Sequence, residues 1–360
     1  MQLMSKLADI LHREAGINKA RSKFIVLFVE SLIRVRTVNL TEIALNFSSE
    51  VKESSSYRRI QGFFKTFSFP YHLLSRLIMS LLPSESLVIS IDRTNWKFGV
   101  ADTNIFMLTA EYRGVAIPIL WHLLPKRGNS NQLERIDLLK EFITLFGKGR
   151  IKNLLADREF IGEKWISYLY DQEIPFTIRV KHNMIVSENE EDKTKLSDLF
   201  TSTRTKVYEN RSLFNREVNI AGKRLDKKQD YLIIITNGDA KLNIEEYRRR
   251  WKIETMFSSL KTRGFNLEDT HMTEDSKLKM LVGILAIAYV FSFLVGIQKE
   301  KYAPIKIKKH GRKAISSFRY GLDQIRKAIS DTKQFYRDVF YQINAVIDNM
   351  TVLTLIVKTN

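Results

Sequence analysis

Apolar residues recur every three to four positions through the first 82 residues, which is the pattern of amphipathic helices. Asn39 and Glu42 have the spacing of a capping box and predict the start of one helix, whereas Pro70 ends another. The predicted helices cover 20–35, 39–47, 57–67 and 71–82. We therefore predict a helical N-terminal domain over 1–82. Its short helices with basic tips favour DNA binding, although any small helical bundle has the same pattern.

After a break at 83–86, apolar runs of strand length alternate with amphipathic helical stretches. The predicted strands cover 87–92, 104–111, 115–122, 151–157 and 175–180, and the predicted helices cover 131–146 and 162–172. Arg113 and Gly114 predict a hairpin turn, and Pro118 places the third strand at an edge or a bulge. Three strands, a helix, a strand, a helix and a strand fit an α/β ribonuclease-H-like fold, a mixed sheet with flanking helices.

Residues 182–230 interrupt this core with short, basic, alternating segments, which predict an inserted β region. The Phe and Tyr residues of that region are Phe200, Tyr208 and Phe214. A further core strand follows over 231–236. The predicted core therefore comprises 83–181 and 231–298.

The stretch 280–297 has no charged residue, and its length lies at the lower edge of what a membrane span needs. Basic residues flank it on both sides, so the positive-inside rule gives no orientation. We favour a helix buried in the core over a membrane helix. Gly283, Ser292 and Gly296 would let neighbouring elements approach it closely.

The last part of the chain, 299–360, is predicted to be a basic helical region, with helices over 314–329 and 335–347. Its first residues are dominated by cations, namely Lys299, Lys301, Lys306, Lys308, Lys309, Arg312 and Lys313. This composition predicts a phosphate-binding loop, although a solvated linker has the same composition.

Composition narrows the possible partners. The formal net charge is +18 and 44% of the residues are hydrophobic, which indicates a folded basic protein with a polyanionic partner such as DNA. The absence of Cys excludes disulfides and thiolate zinc sites. The N-terminal residues lack the pattern of a secretion signal, so we expect a cytoplasmic protein.

Three carboxylates are the candidate metal ligands. Asp92 and Asp157 each close an apolar strand, and Glu254 lies on a cation-rich predicted helix over 247–262. Glu159 competes with Asp157 for the same role, although it lies beyond the strand. Three hard oxygen ligands suit two Mg²⁺ ions acting on a phosphodiester. The alternative is a surface helix on which Glu254 pairs with Arg250 four residues earlier.

The predicted helix carries Tyr-x2-Arg-x3-Glu-x6-Lys at Tyr247, Arg250, Glu254 and Lys261. This spacing resembles the signature of the DDE transposases of the insertion-sequence-four family, the cut-and-paste enzymes of prokaryotic mobile elements. Residues 88–96 (VISIDRTNW) resemble the family's first-Asp block, and residues 155–160 (LADREF) resemble the second. The resemblance covers most of the chain, including its helical N-terminus.

The resemblance implies that Asp92, Asp157 and Glu254 form the catalytic triad and bind two Mg²⁺ ions, for which Mn²⁺ can substitute. It implies that Tyr247, Arg250 and Lys261 hold DNA phosphates. From the residues alone, we expect further phosphate contacts at Arg158, Lys308 and Lys309.

The resemblance also implies the reaction and its partners. Water nicks the end of the element, the freed 3′-OH attacks the opposite strand to give a hairpin, and the reopened end joins target DNA. The partners would be the terminal inverted repeats and the target, bound by a homodimer at the nucleoid, with no membrane. Some relatives use a Trp of the inserted region in base flipping. Here 182–230 contains no Trp, so Phe200, Tyr208 or Phe214 would have to take that stacking role.

Three other hypotheses remain open at this point. A structure-selective nuclease on the same fold would cut DNA without joining it to a target. A non-catalytic DNA-binding relative would retain the triad only as a structural relic. A membrane protein would use 280–297 as its span.

Overall fold

The computed structural model describes residues 2–47, 51–98, 101–188, 192–225, 230–309 and 311–330. The chain divides into two compact units. The helical unit consists of Met1–Pro83, Asn95–Thr103 and Thr255–Asn360, and the sheet unit consists of Ser84–Thr94 and Asn104–Glu254.

The N-terminal part of the helical unit is made of helices, as the periodicity predicts. These are α1 (Gln2–Arg13), α2 (Lys19–Val35), α3 (Leu40–Leu45), α4 (Glu53–Thr66) and α5 (Tyr71–Ser80). Asn39 caps α3 by accepting a hydrogen bond from the Thr41 N–H at 3.0 Å. The predicted capping box with Glu42 is wrong, because the Asn39 N–H donates instead to the Thr37 hydroxyl at 3.1 Å.

Aromatic side chains hold these helices together. The rings of Phe24 on α2 and Phe63 on α4 stack with centroids 4.1 Å apart, and both rings are buried. Arg59, on the exposed side of α4, lies with its guanidinium carbon 5.4 Å from the centroid of the Phe24 ring. Helix α4 therefore divides into an aromatic face that packs and a basic face that is exposed, as its sequence predicts.

The sheet unit is built on one mixed ten-stranded sheet, and its helices lie between or after the strands. The strands are β1 (Leu87–Phe98), β2 (Ala101–Tyr112), β3 (Val115–Leu124), β4 (Ile151–Ala156), β5 (Phe176–Arg179), β6 (Ile185–Ser187), β7 (Lys193–Lys195), β8 (Lys206–Leu213), β9 (Arg216–Arg224) and β10 (Tyr231–Thr236). The helices are α6 (Gln132–Phe146), α7 (Glu163–Asp171), α8 (Leu196–Leu199) and α9 (Ala240–Glu246). The strand order is β3-β2-β1-β4-β5-β10-β9-β8-β6-β7.

The centre of this sheet has the predicted ribonuclease-H-like arrangement. β1, β4 and β5 are parallel, and β10 is antiparallel to β5. β2 and β3 form the predicted hairpin, since Arg113 and Gly114 both have positive φ and link Tyr112 to its partner Val115. Pro118 lies on the edge strand β3, where the pairing with β2 shifts register, so both alternatives predicted for it hold at once.

The inserted region 182–230 continues the core sheet instead of forming a sheet of its own. β9 pairs with β10 along six residue pairs from Tyr231–Arg224 to Thr236–Asn219. β8 then pairs with β9, and the short β6 and β7 end the sheet. Alternation in the sequence predicts strands but not their partners, so this continuity was not predictable from the pattern alone.

The helical elements that follow β10 complete the described secondary structure. They are α9, a 3₁₀ turn (Tyr247–Arg250), α10 (Trp251–Ser258), a π-helical turn (Ser259–Arg263), a 3₁₀ turn (Leu267–Asp269), α11 (Asp275–Glu300) and α12 (Ser317–Ser330). The helix predicted over 335–347 lies outside the described residues.

Helix α11 contains the apolar stretch of the sequence. It is long and apolar enough to cross a membrane, but 94% of its most apolar 18-residue window is buried inside the protein. A Cβ at Gly296 would overlap the carbonyl oxygen of Ser317, and a Cβ at Gly321 on α12 would overlap that of Ser292. The expected close approach is therefore confirmed at Ser292 and Gly296, where the backbones of α11 and α12 are in direct contact.

Candidate active site

The cation-rich segment over 247–262 is helical without interruption, but it is not the single regular helix predicted. It begins earlier, at α9, tightens to a 3₁₀ turn at Tyr247–Arg250 and widens to a π turn at Ser259–Arg263. Because a 3₁₀ helix has three residues per turn, Tyr247 and Arg250 lie directly above one another. The π turn adds a residue to its turn and so changes the face on which Lys261 lies.

Arg250 is the centre of the site. Its side chain is 3% exposed, and its Nη2 donates to Glu254 Oε1 at 2.5 Å. Its Nη1 lies 3.4 Å from Asp92 Oδ2. The i,i+4 pair expected of a surface helix is therefore formed, but it is buried at the Arg250 end and is shared with a strand of the sheet.

The sheet register brings the two aspartates to neighbouring positions. Ser90 on β1 is the partner of Leu155 on β4 in the last pair of these two strands, so Asp92 and Asp157 each lie two residues beyond that pair, at the same end of the sheet. The Asp157 carboxylate also contributes to the charge environment of Arg250.

Asp92 does not end its strand as predicted. β1 continues to Phe98, because residues 93–98 remain in the sheet beside β2. What ends near Asp92 is the pairing of β1 with β4, whose last pair is Ser90 with Leu155. Asp157, by contrast, directly follows the end of β4 at Ala156, as predicted.

Tyr247 packs against the strand that precedes Asp157. Its side chain is buried, and its hydroxyl donates to the carbonyl oxygen of Ala156 at 3.3 Å. Burial raises the pKa of Tyr247 above its ordinary value, so the phenol stays protonated and remains a hydrogen-bond donor.

Electrostatics in the site are set by burial and by Arg250. Burial raises the pKa of the Asp92 carboxyl to about 7, even though Arg250 acts to lower it. Burial by itself lowers the pKa of Arg250, but its polar neighbours outweigh this effect and raise that pKa above its ordinary value. These neighbours are Tyr247, Asp157, Glu254 and Asp92. At the Asp92 carboxyl, burial therefore outweighs the contact with Arg250.

Arg93 and Glu159 connect the two segments that carry the aspartates. Arg93 Nε donates to Glu159 Oε1 at 2.8 Å, and Arg93 Nη2 donates to Glu159 Oε2 at 3.0 Å. Arg93 directly follows Asp92, and Glu159 lies two residues after Asp157. Glu159, the competing ligand candidate in the sequence, thus has both carboxylate oxygens engaged by one guanidinium.

A second arginine supports the loop after Asp157. Arg135 on α6 is 4% exposed, and it donates to the carbonyl oxygens of Glu159 at 2.9 Å and Ile161 at 3.0 Å. Burial lowers the pKa of Arg135 to about 10. The sequence gives no signal for these contacts of Arg93 and Arg135, because Glu159 and Ile161 are 24 or more residues distant from them along the chain.

The remaining candidates divide between the two units. Arg158 is exposed, and its N–H donates to Asp157 Oδ1 at 2.7 Å. Lys261 belongs to the helical unit, where its Nζ lies 2.9 Å from both the Asn95 carbonyl oxygen and Glu268 Oε1. Lys308 and Lys309 are exposed residues of the same helical unit. Within the sheet unit, the structure brings Asp92, Asp157, Tyr247, Arg250 and Glu254 together.

The aromatic candidates of the inserted region are less accessible than expected. Phe200 is 1% exposed, and Tyr208 packs edge-on against it while its hydroxyl donates to the Leu199 carbonyl oxygen at 3.0 Å. Phe214 lies in the turn between β8 and β9 with a positive φ of 54°. Trp251, next to Arg250, is 61% exposed. Exposure on this scale is unusual for Trp, and the sequence did not single it out.

The donor set suits a hard divalent cation. Among the described residues, no group of three or more His, Asp or Glu side chains is arranged to hold a metal ion, and Arg250 contacts both Asp92 and Glu254. The residues nevertheless fit such an ion chemically. Carboxylate oxygens are the ligands that Mg²⁺ and Mn²⁺ prefer, and a bound cation would favour the charged form of the Asp92 carboxyl, which burial disfavours.

The sequence also matches a family of known proteins. A family model described as a transposase DDE domain matches residues 83–291, which is more than half of the chain and includes Asp92, Asp157 and Glu254. No curated protein matches the sequence.

Proposed function

Because the chain belongs to the DDE transposase family, a family of DNA-binding enzymes of transposition, we propose that it excises a mobile element and joins its 3′-OH ends to target DNA. We place it in the insertion-sequence-four group on the spacing of Tyr247, Arg250, Glu254 and Lys261.

The observation that carries the proposal is the buried Arg250 guanidinium, which contacts Asp92 on β1 and Glu254 on α10. Asp157, which lies at the end of β4 nearest to Asp92, also contributes to the raised pKa of Arg250. Three acids far apart in the sequence are thus neighbours of one cation. In this proposal Asp92, Asp157 and Glu254 are the catalytic residues and the ligands of two Mg²⁺ ions, for which Mn²⁺ can substitute.

DDE transposases generally use divalent metal ions, which stabilise the charge that develops on the attacking and leaving oxygens of a phosphodiester. The side chains of the protein orient the DNA. Arg250, which stays charged because of its raised pKa, would contact a DNA phosphate if the carboxylates that it now contacts were to hold divalent cations. Tyr247 donates its one hydroxyl proton to the Ala156 carbonyl oxygen and so holds the segment before Asp157 in place; to contact a DNA phosphate, the hydroxyl would exchange this bond.

In this proposal, further phosphate contacts come from the exposed cations Arg158, Lys308 and Lys309 and from the half-buried Lys261. The DNA is the terminal inverted repeat of the element and its target, bound by a homodimer at the bacterial or archaeal nucleoid. Excision passes through a hairpin intermediate.

The experiment is a strand-cleavage and joining assay with Mg²⁺ and a DNA fragment that carries the ends of the protein's own element. Asp92→Asn, Asp157→Asn and Glu254→Gln should each lower cleavage by at least about 10³-fold while leaving DNA binding nearly unchanged. Glu163→Gln, an exposed acid on α7, is the control and should cleave at the wild-type rate.

The products distinguish the remaining hypotheses. Hairpins and joined DNA support the transposase, whereas cleavage without joining indicates a structure-selective nuclease. Specific end binding without any cleavage indicates a non-catalytic relative. If one of the three variants cleaves like the wild type, that residue is not a metal ligand.

A further inference from the structure

A small cavity of about 170 Å³ opens in the sheet unit where β5 ends and β10 begins. The residues that carry its chemistry are Arg158, Arg179, Lys181, His182, Asp230 and Tyr231. Only Arg158 has a role in the proposed function. The cavity is smaller than the several hundred Å³ typical of sites for drug-sized ligands, so its occupant is a small group or part of a larger molecule.

The cavity lies at the same edge of the sheet as Asp157. β4 and β5 are parallel, and Ala156 is the partner of Ile178, so the register continued by one residue places Arg179 beside Asp157. β10 runs antiparallel to β5 and therefore starts, at Tyr231, near the end where β5 finishes. A strand of DNA bound at Asp157 thus has this cavity as a neighbour.

The walls are mainly cationic. Arg158, Arg179 and Lys181 face one carboxylate, Asp230, which pairs with Arg179 Nη2 at 3.3 Å. The same Nη2 donates to the Tyr231 carbonyl oxygen at 2.8 Å. The Arg179 Nε is buried and has no hydrogen-bond partner among the described residues, so this guanidinium retains an unused donor. Such a donor set binds phosphate.

An aromatic platform lies beside these cations. The rings of His182 and Tyr231 stack with centroids 5.1 Å apart and planes within 18°. His182 is exposed, so its ring is accessible to solvent, while the half-buried Tyr231 supports it from the sheet. Imidazole and phenol rings are surfaces on which unpaired bases stack, and this stacking contributes to single-strand binding together with cations.

We propose that this cavity binds one unpaired nucleotide of the DNA adjacent to the cleaved strand. Its phosphate lies against Arg158, Arg179 and Lys181, and its base stacks on the His182–Tyr231 pair. The inference rests on the proposed function, because it assumes that DNA reaches Asp157. It assigns to residues at the two ends of the inserted region the stacking role expected of Phe200, Tyr208 or Phe214.

The test compares two DNA duplexes of the same sequence, one fully paired and one with a single unpaired nucleotide, by fluorescence anisotropy. The full-length protein is used in EDTA, so that cleavage does not interfere. The wild type should bind the DNA with the unpaired nucleotide more tightly. His182→Ala and Tyr231→Leu should each lose about tenfold in affinity for that DNA and show little change for the paired duplex.

Charge is tested separately from stacking. The double variant Arg158→Gln, Lys181→Gln should lower the slope of log affinity against log salt by about 1 to 2. Lys164→Gln, which changes an exposed cation on α7 outside the cavity, is the control and should leave the preference for the unpaired nucleotide unchanged. His182 is exposed, so His182→Ala should fold normally, and thermal unfolding checks this.

Two results would overturn the inference. One is a wild type that binds both duplexes equally. The other is a folded His182→Ala protein that keeps the full preference. Neither result affects the cleavage assay on Asp92, Asp157 and Glu254, so failure of this inference and failure of the proposed function are distinguishable.

Discussion

Arg250 explains how three acids remain close together in a folded protein. Carboxylates at short distances repel one another, and a buried carboxylate without a partner is strongly destabilising. The Arg250 guanidinium contacts two of the three and lies within the field of the third. The same contacts explain why Arg250 is almost fully buried, which is rare for arginine unless it is paired.

The bidentate pair of Arg93 with Glu159 fixes the distance between the segments that carry Asp92 and Asp157. This pair affects cleavage only by positioning the two aspartates, so Glu159 is a positioning residue. We predict that Glu159→Gln lowers cleavage by about 10- to 100-fold and raises the Mn²⁺ concentration needed for half-maximal cleavage, because a misplaced ligand binds metal less well. A titration of cleavage rate against Mn²⁺ measures both effects.

Asp157→Asn is the matched comparison in that titration and should cleave at no Mn²⁺ concentration. If Glu159→Gln is inactive at every concentration while Asp157→Asn retains activity, then Glu159 is the ligand and the assignment of Asp157 is wrong.

At the scale of elements, two departures from regular helix packing stand out. A 3₁₀ turn precedes α10 and a π turn follows it. Irregular turns of this kind commonly occur at functional sites, where they re-aim side chains. In the helical unit, α11 and α12 touch through backbone atoms at Gly296, Gly321 and Ser292.

The contact between α11 and α12 predicts a stability change. Gly296→Ala should destabilise the protein by about 2 kcal/mol, because the new methyl group would overlap the Ser317 carbonyl oxygen. This cost exceeds the gain of up to about 1 kcal/mol in helix propensity from Gly to Ala. Gly62→Ala in α4 is the control, since a Cβ there meets no atom within 4 Å. The control should be neutral or stabilising. Thermal unfolding measures both variants, and an equal fall in their midpoints would contradict the account.

The basic segment after α11 is a short exposed turn with its own backbone hydrogen bonds. Lys308 N–H donates to the Arg312 carbonyl oxygen at 2.9 Å, and Ala314 N–H donates to the Lys306 carbonyl oxygen at 2.8 Å. Its lysines are therefore displayed by an ordered backbone. A phosphate-binding role for these lysines stays a prediction.

We predict that replacing Lys306, Lys308 and Lys309 by Gln lowers the salt-dependence slope of DNA binding by about 2 to 3, because each lost phosphate contact removes about one released counterion. Binding measured across a series of salt concentrations gives the slope. The matched control replaces three exposed lysines of the sheet unit, Lys140, Lys148 and Lys164. An unchanged slope in the first protein, or an equal change in both, would count against a phosphate role for the turn.

At the scale of the whole molecule, the sequence predicted much of the fold. Strands β1 to β5 and β10 and helices α2 to α7 lie close to their predicted positions, because each has a clear apolar period and a turn or cap at its ends. Burial of the apolar stretch in α11 was also predicted, from the charges that flank it and the small residues within it.

Other features depend on contacts between distant residues and could not be read from the pattern. The extension of the core sheet by β9 and β8 is one example, since alternation does not name a partner strand. The bidentate pair of Arg93 with Glu159 and the stacked pair of His182 with Tyr231 are others. The motif spacing located Asp92, Asp157 and Glu254, but the buried contact of Arg250 with Asp92 required the structure.

The net charge of +18 gives the whole chain an attraction for DNA, which makes its binding strongly dependent on salt. Charge alone does not distinguish an enzyme from a DNA-binding protein. That distinction depends on whether the three acids hold metal ions when DNA is present.

The most direct measurement is a Mn²⁺ titration of the protein–DNA complex, followed by electron paramagnetic resonance of the free ion. The account predicts two ions bound per active site in the wild type and in the control Glu163→Gln, and a loss of at least one ion in Asp92→Asn, Asp157→Asn and Glu254→Gln. Equal Mn²⁺ binding by the wild type and all three variants would contradict it.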